Sequence, residues 1–291
     1  MRRIFLMALV AAACVCAMAR PASDSVIATD TVHVDSVYEE DPYFLLMGEA
    51  DRAIAARDWN EAVARLHDAL QVRPQAATNA LLLSNLGMAY TYLGSDSLAI
   101  DAFDRALEIA PAMAVAHLGK GRALLMSGRD REAFASFGNV IDCDSLNLDA
   151  RFYHGMIALY SGDRGTAEKD FTVLKDSAPM SIDTAIALGT LYSLTGRERE
   201  AVPYLTTLID TEPAAEYFAS LAGCYLTLED LSHASEVLAR GMELFPGDPE
   251  LYYYRAWLNR DRYRLDDAKK DAATAIELGA SPTKVKRLFE N

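Results

Sequence analysis

The 291-residue sequence is poor in cysteine, tryptophan and positive charge. Of its four cysteines, Cys14 and Cys16 fall in an N-terminal apolar segment, so only Cys143 and Cys224 belong to the body of the chain. Lys and Arg number 28 against 42 Asp and Glu, a formal net charge of −14. Phosphate binding needs clustered cations, so this balance argues against nucleic acid and equally against an anionic membrane surface. A basic or neutral partner is allowed, and net acidity also serves solubility. Beyond the N-terminal segment no apolar run approaches the roughly 20 uninterrupted residues that span a bilayer. Glycine (16) and proline (10) are spread at intervals. With 51% hydrophobic and 24% charged residues, this is the profile of a helical protein with regular punctuation and enough apolar material for a continuous core.

Catalytic signatures are missing as well. The sequence has no metalloprotease H-E-x-x-H, no phosphate-binding G-x-x-x-x-G-K-[ST] and no nucleophile-elbow G-x-S-x-G. Gly119-Lys120-Gly121 is too short to cradle a phosphate. The five histidines, His33, His67, His117, His154 and His233, show no ligand-like spacing among themselves or with the body cysteines. No metal, no cofactor and no enzymatic activity are expected. Tyr252-Tyr253-Tyr254 with Trp257 could form a sugar-stacking platform, although core and cap contacts account for it more simply.

The N-terminus is built for export. Arg2 and Arg3 precede an apolar stretch from Ile4 to Met18, and Ala17-Met18-Ala19 has the small-x-small form of a cleavage site, so residues 1–19 read as a signal peptide. A second reading takes Ala11-Ala12-Ala13-Cys14 as a degenerate lipoprotein box, which makes Cys14 a candidate for lipidation. Both place the protein outside the cytoplasm, in the periplasm or at the outer membrane, and only the second supplies a membrane attachment, a lipid anchor. Residues 20–42 form an acidic, polar segment read as a mobile linker. It contains Asp24-Ser25-Val26, Asp30-Thr31-Val32 and Asp35-Ser36-Val37. These resemble O-glycosylation sites that one group of Gram-negative bacteria uses on exported proteins, which makes Ser25, Thr31 and Ser36 candidates. Chance in a Ser/Thr/Asp-rich linker explains them more simply, and Val32, Val34 and Tyr38 could instead pair as a strand or lie in a groove.

Internal repetition carries the main argument. Leu83-Ser84-Asn85-Leu86-Gly87-Met88-Ala89-Tyr90 aligns with Ala185-Ile186-Ala187-Leu188-Gly189-Thr190-Leu191-Tyr192. Each is followed by a glycine (Gly94, Gly196), an alanine (Ala99, Ala201), a bulky residue (Phe103, Leu205) and a proline (Pro111, Pro213) at matched offsets. Leu86, Gly87 and Tyr90 share one face of a helix. Gly87 and Ala99 let two helices cross closely, Phe103 and Tyr90 fill the volume beside the crossing, and Pro111 ends the second helix. This pattern resembles the tetratricopeptide repeat, a helix-turn-helix of about 34 residues.

The resemblance implies an all-α fold, an α-solenoid of about seven repeats wound into a right-handed superhelix. The expected repeats are 43–76, 80–113, 114–147, 148–181, 182–214, 215–248 and 249–280, with 281–291 as a C-terminal capping helix. Cys143 and Cys224 would then lie more than two repeats apart. Only neighbours touch in a solenoid, so they are read as two separate thiols.

The resemblance also implies that the first helix of each pair lines the inside of the superhelix. Residues about 80–180° around from the Leu86/Gly87/Tyr90 face would then form a groove. The candidates are Leu81, Met88, Tyr92, Leu118, Arg122, Leu125, Met126, Phe152, Met156 and Tyr160. Large exposed apolar patches usually mark contact surfaces, and methionine suits one that must adapt. Packing between repeats is the competing explanation. Arg122 is the single cation in this stretch, so the carboxylate clamp known in the family is not supported. The function expected is a non-catalytic scaffold of the bacterial cell envelope that binds a peptide or protein segment. The alternative is an envelope protein of the same architecture that binds a glycan or small ligand.

Overall fold

A computed structural model describes residues 41–290, and among these it contains fifteen α-helices. They run α1 (Pro42–Ala55), α2 (Trp59–Val72), α3 (Asn79–Tyr92), α4 (Asp96–Ile109), α5 (Ala114–Met126), α6 (Asp130–Cys143), α7 (Leu148–Ser161) and α8 (Arg164–Ser177). After these come α9 (Ile182–Leu194), α10 (Glu198–Thr211), α11 (Ala215–Thr227), α12 (Leu231–Leu244), α13 (Pro249–Asp261), α14 (Leu265–Glu277) and the short α15 (Pro282–Arg287). The first fourteen form a stacked helix-turn-helix array of the tetratricopeptide type. The chain divides into two compact units at Thr166/Ala167, within α8.

Turn chemistry explains why the pairs form. Within a pair the chain reverses through one residue in the left-handed region, held by Gly94, Gly128, Gly162 and Gly196 in four turns. Arg57, Glu229 and Tyr263 take the same conformation in three others, with φ of 58°, 60° and 61°. Asp58 and Asp230 within pairs, and Asn147, Ser181 and Asp248 between pairs, are among the residues whose side chains accept a backbone N–H in the first turn of the following helix.

In the first unit α3 packs on α4 and α5 on α6, and α3 also touches α5. The small-residue logic holds at atomic distance. A Cβ on Gly87 would lie 2.8 Å from Phe103 Cε1, and one on Gly121 would lie 2.7 Å from Phe137 Cε1. Both rings are buried. Tyr90 hydrogen-bonds His67 at 2.8 Å, which links α3 to α2. At the N-terminal end, the Tyr43 hydroxyl lies 2.6 Å from Thr78 Oγ1 and donates to Asn79 Oδ1 at 2.9 Å, fastening α1 to the start of α3.

In the second unit Gly189 meets Leu205 at a looser 3.2 Å, and the last pair replaces the tyrosine of the pattern with Asn259. Asn259 Nδ2 donates to the buried Asp271 at 2.8 Å, and Arg255 Nε donates to the same carboxylate at 2.9 Å. A polar network thus ties α13 to α14 where other pairs use an aromatic ring. Val285 and Leu288 close this end against Ala256, Ala272 and Ala275. Cys143 is exposed and Cys224 buried, and both are free thiols.

Candidate functional site

The first unit contains an apolar cleft of about 270 Å³. One wall is the face of α3 carrying Ser84, Asn85, Met88, Thr91 and Tyr92. The other is the face of α5 carrying Val115, Leu118, Gly119, Arg122 and Met126. Phe103, from α4, forms the floor. The cleft exists because α3 and α5 are corresponding helices of consecutive pairs and the residues facing each other across them are unequal in size. Where α3 presents Asn85, α5 presents Gly119. A Cβ on Gly119 would lie 2.4 Å from Phe103 Cζ, so the Phe103 ring meets glycines from both helices.

Of the sequence-expected groove residues, the structure brings Met88, Tyr92, Leu118, Arg122 and Met126 together here. Tyr92 stacks on Trp59 with ring centroids 4.1 Å apart and planes 9° from parallel, which fixes its position at one end. Arg122 Nη2 donates to Asp149 Oδ2 at 2.7 Å, and its guanidinium lies 5.5 Å from the centroid of Tyr153. The one charged lining residue is therefore already paired, and the remainder of the surface is mainly apolar.

Leu81 is exposed, but it lies by a shallow hollow lined also by Thr78, Pro111 and Met113. Leu125, Phe152 and Met156 require a correction. They are 2%, 2% and 1% exposed, so they are core and cannot form an open groove wall. For Phe152 and Met156 the physical reason lies in α7, which is buried around most of its circumference through Phe152, Tyr153, Met156, Ile157, Ala158 and Leu159, whereas Leu125 lies on α5 in the buried run with Ala123 and Leu124. Helical angle specifies where a side chain points, but not whether that direction is open. Tyr160 is half-buried on the same helix.

Sequence reasoning missed Asn85, Gly119 and the floor role of Phe103. The signal for Gly119 was present, since a glycine stands where neighbouring repeats carry Asn85 and Tyr153. Beside Lys120 and Gly121 the same glycine reads as a fragment of a phosphate loop, which masks its packing role. The signal segment 1–19 and Cys14, Ser25, Thr31 and Ser36 lie outside the described residues.

Elsewhere, the aromatic run of α13 is covered by the chain's own cations. Lys284 Nζ sits 4.2 Å from the Tyr253 centroid, Arg255 lies over Tyr252 and Arg260 over Trp257. Lys284 also pairs with Glu250. The ring faces a sugar would stack on are thus engaged. Burial raises Glu216, with nearby Asp248 adding to it, and burial pushes the Cys224 thiol up to about 12. Among the described residues no group of three or more His, Cys, Asp or Glu side chains could hold a metal ion, and no helix is long and apolar enough to cross a membrane.

Comparison with known proteins agrees with the fold. Residues 80–113, which carry one wall of the cleft and its floor, match the family model for the tetratricopeptide repeat. The fold resembles a tetratricopeptide repeat protein from Parabacteroides merdae, with a TM-score of 0.62 at 18% identity over 86% of this chain and 98% of that one. It also resembles PilW, described as a widely conserved type IV pilus biogenesis factor, with a TM-score of 0.60 at 22% identity over 72% of this chain and 96% of that one. A third similar structure is YrrB, described as having an unusual peptide-binding site, with a TM-score of 0.55 at 18% identity over 66% of this chain and all (100%) of that one.

Proposed function

We propose that this protein is a non-catalytic scaffold that captures a peptide or protein segment in the cleft between α3 and α5. The observation that carries the reading is an open, mainly apolar cleft walled by Met88, Leu118 and Met126 and floored by Phe103. Such a surface costs free energy when left to water and gains it when a partner's apolar side chains enter. At about 270 Å³ the cleft falls just below the roughly 300–1,000 Å³ typical of small-molecule pockets. It suits one or two anchoring side chains of a longer segment better than a whole metabolite. Arg122 is satisfied by Asp149, which disfavours an acidic anchor.

The similar fold of YrrB, described as having an unusual peptide-binding site, supports peptide capture, and the export signal read from residues 1–19 supports a place in the cell envelope. The test uses a phage-displayed library of random peptides panned on the purified protein. Selected peptides should carry one or two large apolar residues, quench or shift Trp59 emission through the Trp59–Tyr92 stack, and lose binding in Met88→Asp. Selected peptides that bind Met88→Asp as well as wild type would move the site elsewhere.

A further inference from the structure

The turn between α13 and α14 carries a side chain that the fold does not use. Where four equivalent turns place glycine and two place Arg57 and Glu229, Tyr263 adopts φ 61°, a strained conformation for a bulky residue. The residue is 92% exposed, so no packing of its side chain within the fold offsets that strain. Leu265, two residues on, is 52% exposed, and Arg264 between them makes no ion pair among the described residues. The result is an aromatic and aliphatic knob with a cation beside it.

We propose that this knob is received by the α3/α5 cleft of a second copy of the chain. The inference rests on the cleft's being a docking site. Three features fit the two surfaces to each other. The cleft is sized for one or two side chains. A phenol is an apolar ring with one hydroxyl, and the cleft pairs apolar walls with the Asn85 amide. Asp149, bonded to Arg122 of the cleft wall, keeps 48% of its side chain exposed and offers a counter-charge for Arg264. Knob and cleft are different surfaces and every copy has one of each, so the contact is head-to-tail and generates rings or open chains. The charge of −14 per copy opposes association at low salt.

The experiment is sedimentation of the full chain over a concentration series at about 0.15 M salt, where repulsion beyond about 8 Å is screened. Wild type, Tyr263→Gly, Met88→Asp and an equimolar mixture of the two variants are compared. Tyr263→Gly removes the knob and relieves the turn, so its melting temperature should not fall, and lost assembly cannot then be ascribed to unfolding. Wild type should gain mass with concentration and each variant alone should remain monomeric. The mixture should stop at twice the monomer mass, since it retains one intact knob and one intact cleft. A wild type that stays monomeric throughout, or self-association that survives Tyr263→Gly, overturns the proposal. Panned peptides that still bind Tyr263→Gly would show that the cleft itself remains a docking site when self-association fails.

Discussion

Gly48→Ala and Gly119→Ala are the same chemical change in the interior of a helix, and the surroundings give them different outcomes. Replacing an interior helical glycine by alanine gains about 1 kcal/mol from backbone entropy. At Gly48, on α1, the new methyl would meet nothing within 4 Å, so the full gain should appear. At Gly119 it would lie 2.4 Å from Phe103 Cζ and 2.6 Å from Cε1. The ring cannot swing toward α3, because the site of a Gly87 Cβ is only 2.8 Å from the same ring. Overpacking of this kind costs about 1–3 kcal/mol, so the net effect at Gly119 should be a destabilisation of about 0–2 kcal/mol. Urea unfolding followed by circular dichroism measures both. Phe103→Leu removes the far ring atoms, so Gly119→Ala placed on that background should become neutral or stabilising. The coupling between the two sites should then lie within the roughly 0.5–3 kcal/mol seen for residues in contact. If Gly119→Ala stabilises wild type as much as Gly48→Ala does, Phe103 does not fill the space between α3 and α5 and the account of the cleft floor fails.

Other outcomes follow from the same structure. Glu216 is raised by burial, so its contribution to stability is present below the ordinary glutamate range and is lost as pH rises through its folded value. Glu216→Gln should therefore raise the melting temperature at pH 7, by about 1–3 °C, with no gain at pH 4. Asp271→Ala leaves the Asn259 amide buried and without its acceptor, while Arg255, 39% exposed, can turn to water. A loss of about 1–3 kcal/mol in chemical denaturation is expected, and Asp271→Asn should lose less. Iodoacetamide at pH 8 should modify Cys143 in the native protein and spare Cys224, whose thiol is buried and pushed up to about 12. Peptide mapping that finds Cys224 alkylated before unfolding would place that helix face in solvent.

Much of the architecture was legible because the repeat acts through local rules. Leu86, Gly87, Ala99, Phe103 and Pro111 recur at fixed offsets, and each offset corresponds to a helical face, a close crossing or a helix end. The departures were legible only as departures. Asn259 is out of pattern in the sequence, and the coordinates show that Asp271 and Arg255 take over what a tyrosine does elsewhere. Tyr263 stands where a turn glycine would be expected, and only its φ and its exposure mark it as a knob.

The candidate site divides along the same line. Periodicity put Met88, Leu118, Arg122, Phe152 and Met156 on equivalent faces of successive helices, and the chain alone gives no reason to separate them. Burial separates them, leaving the α3/α5 face open and closing α7 on most sides. The sequence determined the helices, their pairing and the small residues at their crossings, because these depend on neighbours close along the chain. Only the tertiary structure decided which of the equivalent faces meets solvent, because exposure depends on what packs from the other side. The loss of one side chain at Gly119 likewise became a cleft only where α3 and α5 lie together over Phe103.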